Sequence, residues 1–233
     1  MTTVELEKIT KVRQGEEKRR YDDACGLAHA LDLIGERWGM LVLRELAYGP
    51  RRFSALKADL PGISANVLTQ RLAELERRGI VRKTKLPPPA SVQVYEATDW
   101  GREAAPVIGA LGKWAARSPL HDPTLPMSHV SVMMSLQTLL SPDRAKGIEA
   151  RIGFRFGAAS YVAALAHGRL EVERAEPVDC AVTFTGGPNE VAAVIHGGAP
   201  FDLIEVEGDL DLARRFVTLF PLPEKVEASA PIA

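Results

Sequence analysis

The chain has 233 residues, 46% hydrophobic and 25% charged, which suits a soluble globular protein with room for two modest domains. Its net charge of −1 hides a split, with 20 Lys/Arg against 15 Asp/Glu in residues 1–120 and 9 against 15 in the remainder. The basic half suggests one part that meets a polyanion and one that does not. Two cysteines, Cys25 and Cys180, exclude a disulfide framework and point to a reducing, cytoplasmic setting. The first twenty residues, a charged leader, lack the apolar run of a signal peptide, and the uncharged stretch Pro123 to Pro142 is too polar for a membrane helix, so no membrane partner is expected.

The first domain is expected over residues 21–117. Leu27, Ala30, Leu31 and Ile34 share one helical face, and Trp38, Leu41, Val42, Glu45 and Leu46 form the next stripe, stopped by Gly49-Pro50. A short helix follows over 54–60 with Ser54 placed to cap it, then a turn at Pro61-Gly62. Ser64 caps a longer helix whose buried stripe is Leu68, Leu72 and Leu75, ended at Gly79. Residues 80–85 and 92–97 alternate as two strands around a turn at 87–91, and Thr98 or Asp99 opens a last helix that reaches Trp114. Trp38 and Trp114 are expected in the core with these leucines.

Helix, short helix, tight turn, longer helix and hairpin is the plan of a winged helix-turn-helix, mostly α with a β-hairpin wing. The short helix braces the longer one so that its free face can lie in a major groove of a double-stranded DNA operator. Candidate DNA-contacting residues on and around that helix are Ser54, Ser64, Asn66, Thr69, Gln70, Arg71 and Arg77. Amide and hydroxyl side chains hydrogen-bond to base edges, and cations reach phosphates. Arg51 and Arg52 before the short helix, and Lys83 and Lys85 with Arg82 in the hairpin, suit the phosphate backbone. The plainer reading of each cation is a solvated helix surface.

A set of residues carries a family resemblance: Leu31-Asp32-Leu33-Ile34-Gly35-Glu36-Arg37-Trp38, Leu43-Arg44-Glu45-Leu46, Gly49-Pro50-Arg51-Arg52-Phe53-Ser54-Ala55-Leu56, Leu60-Pro61-Gly62-Ile63-Ser64, Leu68-Thr69-Gln70-Arg71-Leu72 and Leu75-Glu76-Arg77-Arg78-Gly79. This resembles the HxlR family of regulators within the MarR-like superfamily, over about 95 residues. The resemblance implies a homodimer built on the first and last helices of the domain, a recognition helix at 64–78, a pseudo-palindromic operator and repression as the usual outcome. It also implies redox sensing by a cysteine at the place of Cys25. A helix N-terminus favours a thiolate there, while Asp22 and Asp23 oppose it, and a small buried thiol is the plainer reading.

The segment 118–126 holds three prolines and is expected as a linker, followed by a second domain over 127–220 and a loose tail at 221–233. Val130, Met133, Met134, Gln137 and Leu140 suggest a helix, and Ile152, Phe154 and Phe156 alternate with Arg151, Gly153 and Arg155 as a strand. Further strands are expected around 170–174, 180–185 and 203–206, and helices at 188–195 and 209–219. This is an α+β layer, an antiparallel sheet with helices on one face. Arg155-Phe156-Gly157, a hairpin at Gly168, Asp179, Gly197-Gly198 and Glu207-Gly208-Asp209-Leu210-Asp211-Leu212-Ala213 resemble a sterol-carrier-protein-like domain. That resemblance implies a pocket for a hydrophobic small-molecule effector, lined by Met133, Met134, Phe154, Phe156, Tyr161, Phe184, Ile195, Phe201 and Phe216; plain core is the alternative for each.

No catalytic, metal or cofactor site is expected. The five histidines are scattered, there is no nucleophile elbow or phosphate-cradling loop, and the acidic residues of 202–211 suit a solvated strand end. The two function classes are therefore a DNA-binding transcriptional regulator and a lipid or acyl carrier that uses a winged helix as a dimerisation scaffold.

Overall fold

The computed structural model describes residues 21–227, so the charged leader and the last six residues of the tail lie outside the described residues. The first half places α1 (Gly26–Ile34), α2 (Gly39–Glu45), α3 (Phe53–Asp59) and α4 (Ala65–Arg77) before β1 (Val81–Lys85), β2 (Gln93–Ala97) and the long α5 (Asp99–Ala115). Two starts follow directly from side-chain chemistry. Ser64 Oγ accepts the Val67 N–H at α4, and Thr98 Oγ1 accepts the Gly101 N–H at α5. Gly79, at φ 72°, ends α4 in the left-handed region, where a Cβ would be strained. The start of α3 differs from expectation: its N-cap is Arg52, without a side-chain bond, and Ser54 lies inside the helix. Trp38 likewise precedes α2 rather than sitting in it.

These helices close over an aliphatic core of Val42, Leu43, Leu46, Leu56, Leu60, Ile63, Leu68, Leu72 and Leu75. Burying each such side chain stabilises by about 1.5–3 kcal/mol. Trp38 packs half-buried against this core, but Trp114 does not enter it and is 70% exposed. Leu27 and Leu31 of α1 and Val107 and Leu111 of α5 are also exposed. The periodicity identified faces correctly, yet no described part of the chain covers these.

The second half begins with α6 (His129–Leu139), capped by Ser128, and the short α7 (Pro142–Ala145). Strands β3 (Ala150–Phe156), β4 (Ala159–Ala166) and β5 (Arg169–Glu173) form a meander; β6 (Val182–Thr185) and β7 (Glu205–Gly208) follow, separated by α8 (Pro188–Gly197), and α9 (Leu210–Val217) closes the domain. The sheet order is β5-β4-β3-β6-β7. It is mixed rather than antiparallel, because the chain crosses after β5 and lays β6 parallel to β3, with Ile152 opposite Val182 and Phe154 opposite Phe184. One face, carrying Ile152, Phe154, Tyr161, Ala163, Leu165, Leu170, Val182 and Phe184, packs under the helices.

The linker and tail are pinned. Asn189 accepts the Met127 N–H and donates to the Leu125 carbonyl, each at 3.0 Å. In the tail, the Val226 N–H donates to the Arg117 carbonyl at 2.9 Å and Lys225 Nζ to that of Ser118, so this part lies against the end of α5 rather than hanging loose. Among the described residues no helix is long and apolar enough to cross a membrane.

Candidate nucleic-acid interface

The leucines that bury one side of α4 leave its other side in solvent. Asn66, Thr69, Gln70, Ala73 and Arg77 are all exposed and recur at helical spacing along 13 residues, a rod of about 20 Å. Thr69 Oγ1 donates to the Ala65 carbonyl at 2.9 Å, and Gln70 Nε2 to Glu74 Oε1 at 3.1 Å, so both side chains are oriented on this face. Ala73 keeps the middle of the stripe low. Ser64, the cap, and Arg52 and Ser54, ahead of and within α3, are exposed as well.

The wing supplies the cations. In the β1–β2 hairpin Lys83 stands opposite Tyr95 and Lys85 opposite Gln93, and both lysines are exposed. Lys83 Nζ lies 6.0 Å from the Tyr95 ring centre. Arg82 is held at its neighbour: Glu96 Oε1 accepts from its Nε at 2.8 Å, and this bond raises the guanidinium's already high pKa.

Two expected contacts are corrected. Arg51 is 5% exposed, and its guanidinium pairs with Asp59 at the end of α3. Its backbone exchanges two hydrogen bonds of 2.8 Å with Tyr95, an isolated bridge along the β2 edge of the wing. Arg71 is 6% exposed and spans Glu36 at 3.3 Å and Glu74 at 2.8 Å. Both arginines brace the reader from behind instead of facing outward. Burial pushes the Asp59 carboxyl up, but His129 and the Arg51 guanidinium together hold it below the usual aspartate value.

Cys25 is exposed at the N-terminus of α1, not a small buried thiol. The backbone N–H groups of Leu27 and Ala28 lower its pKa. The residues expected to line an effector pocket are packed instead. Met133, Phe154, Phe156, Tyr161, Phe184, Ile195 and Phe216 belong to one buried cluster, with Phe201 against it. Ring centres lie 5.5 Å apart for Phe154 and Phe184 and 5.9 Å for Phe184 and Phe216. Met134 is buried but outside that cluster. These contacts are those of a packed core.

Comparison with known proteins bears on the same region as the exposed helix. A family model described as HxlR-like helix-turn-helix matches residues 33–121. An uncharacterized HTH-type transcriptional regulator of Bacillus subtilis, YvaP, is 40% identical over 86 residues, 37% of this chain and 80% of its own length. The chain belongs to the HxlR-like helix-turn-helix family. Another HTH-type regulator, sll1512 of Synechocystis, is 42% identical over 89 residues, 38% of this HxlR-type chain and 66% of its own length. The reduced form of the transcriptional regulator YodB from Bacillus subtilis is 31% identical, covers 43% of this chain and all of its own, and superposes with a TM-score of 0.38. These relatives are named as regulators and not as enzymes. Within the HxlR-like segment lie α4, the wing and every outward-facing candidate contact.

Proposed function

We propose that this chain, a transcriptional regulator of the HxlR type, binds double-stranded DNA through the exposed face of α4 and the lysines of the wing. The observation that carries the reading is the uncovered stripe Asn66, Thr69, Gln70 and Arg77 beside Lys83 and Lys85. Amide side chains suit adenine edges in a major groove, while the wing cations neutralise phosphates next to it. The uncovered apolar side chains Leu27, Leu31, Val107, Leu111 and Trp114 support a homodimer that pairs α1 and α5 across a two-fold axis. Two α4 helices would then read the half-sites of a pseudo-palindromic operator, with repression as the outcome.

The finer readings go with it as proposals. Residues 127–220 form a sterol-carrier-like second domain. An apolar effector entering among Phe154, Phe184 and Phe216 must displace packed rings, so it would act by remodelling that domain. The exposed, acidified Cys25 thiol would sense electrophiles. The test of the main reading is an electrophoretic mobility shift on DNA from around the protein's own gene, across a salt series. A discrete complex that survives excess nonspecific DNA is expected. A folded dimer that shifts no DNA, but extracts lipid from vesicles, would favour the carrier alternative.

A further inference from the structure

Between the two domains runs a seam that is polar at its centre. On its flank, α5 and α6 touch at Gly109, where a Cβ would lie 2.5 Å from Thr138 Oγ1, so a side chain there would displace the Thr138 hydroxyl. In the centre, Glu45 has a fully buried side chain that accepts from Arg44 Nε at 2.8 Å and from Ser128 Oγ at 2.7 Å. Tyr48 donates its hydroxyl hydrogen to Gln137 and packs edge-on to Tyr161, with ring centres 5.7 Å apart. His129, the first residue of α6, is 8% exposed. Its Nδ1 is 2.7 Å from the Tyr161 hydroxyl on β4, and its Nε2 is 3.4 Å from Asp59 Oδ2.

Asp59 is the pivot. The carboxylate oxygen that faces His129 also pairs with Arg51, and Arg51 is the residue bridged to Tyr95 in the wing. A continuous chain of contacts therefore runs from the second domain's sheet through Tyr161, His129, Asp59 and Arg51 to β2. Among the described residues Arg51 Nη1 has no hydrogen-bond partner, so this buried guanidinium depends on Asp59. A buried charge that loses its partner is costly, and the segment carrying it moves to find water. The backbone of this same residue holds Tyr95, so a shift of Arg51 toward water bears on that bridge.

We propose that Asp59 and His129 are positioning residues for the wing: through them the second domain holds Arg51 against Tyr95 and sets where Lys83 and Lys85 stand relative to α4. The consequence for DNA rests on the DNA-binding reading, whereas the contact itself does not. The second domain is thus a brace that tunes how the wing meets the phosphate backbone, and anything that loosens His129 from Asp59 loosens the wing.

The test is amide hydrogen exchange by NMR on the full chain, comparing wild type with His129→Ala, His129→Gln and Asp59→Asn. The amides of Arg51 and Tyr95 report directly, because each donates to the other's carbonyl. His129→Ala and Asp59→Asn should each speed their exchange by about tenfold or more, while Ile152 and Ala163 in the second domain's sheet keep their wild-type rates. His129→Gln, which keeps a donor toward Asp59, should restore most of the protection. Unchanged exchange at Arg51 and Tyr95, or an equal acceleration at every amide, would overturn the proposal. With promoter-region DNA as the probe, His129→Ala should weaken binding in the wild-type background and add nothing once Lys83 and Lys85 are alanine; simple additivity would also overturn it. If no variant, nor the wild type, binds DNA while the exchange pattern holds, the DNA-binding reading fails and the brace stands.

Discussion

The core of the winged helix is aliphatic, built from leucines on α2, α3 and α4, whereas the second domain packs Phe154, Phe184, Phe216, Phe220 and Tyr161 under its helices. The two halves also finish differently. Those five aromatic side chains are at most 2% exposed, while the first half leaves Leu27, Val107 and Trp114 between 65% and 70% exposed. The first half presents two open surfaces, an apolar one that would suit a second copy and a polar, basic one that would suit a nucleic acid. Their meeting place resembles neither core, because charged and hydroxyl groups hold it together.

That contrast can be broken most forcefully in the aromatic core. Phe154→Ala should destabilise the protein by about 3–5 kcal/mol, measured by chemical denaturation, since fully packed rings leave a cavity that cannot collapse. Trp114→Ser should do the opposite kind of damage. It should leave the fold within about 0.5 kcal/mol, as for other exposed positions, yet weaken dimerisation by about 2 kcal/mol in sedimentation experiments. A Trp114→Ser chain that unfolds would place that side chain in a core after all.

Leucine spacing was enough to place α4, its Ser64 cap and the glycine that ends it. It was not enough for Trp114, because periodicity tells which side chains share a face but not whether that face finds a partner within the chain. Arg51 departs from expectation for a related reason. An arginine ahead of a short helix looks solvent-facing until Asp59, eight residues on, is seen to come back beside it. Two acceptors, Glu74 on the same helix and Glu36 ahead of α2, similarly draw Arg71 inward. In the second domain, β3 alternates legibly, but β4 is a nearly unbroken apolar run, and the parallel pairing of β3 with β6 joins segments separated by the whole meander. Local pattern carries no information about such a crossing. Nor does it show that His129 meets Asp59, or Tyr48 meets Gln137, across the two halves of the chain.

The seam sharpens the comparison through acid. Asp59 has a folded pKa below its ordinary value, so its contribution to stability is fully present above about pH 4, the unfolded value, and is lost as pH falls through the depressed folded one. Wild type should therefore lose stability over that acidic window, and Asp59→Asn should lose less across the same range, although it is less stable at neutral pH. Parallel melting curves at pH 7 and in that window check both halves of the statement. Equal acid sensitivity in the two proteins would remove Asp59 from the account.

The central claim is that α4 and the wing form the DNA face, and the most direct measurement is fluorescence anisotropy of a promoter-region duplex titrated at several salt concentrations. Wild type should weaken steeply and linearly on a logarithmic salt axis. The variant Lys83→Ala/Lys85→Ala should lower that slope by about two, roughly 0.9 for each phosphate that a lysine neutralises, while Lys146→Ala in the second domain leaves it unchanged. A slope that ignores the wing lysines, or that responds to Lys146 instead, would contradict the account.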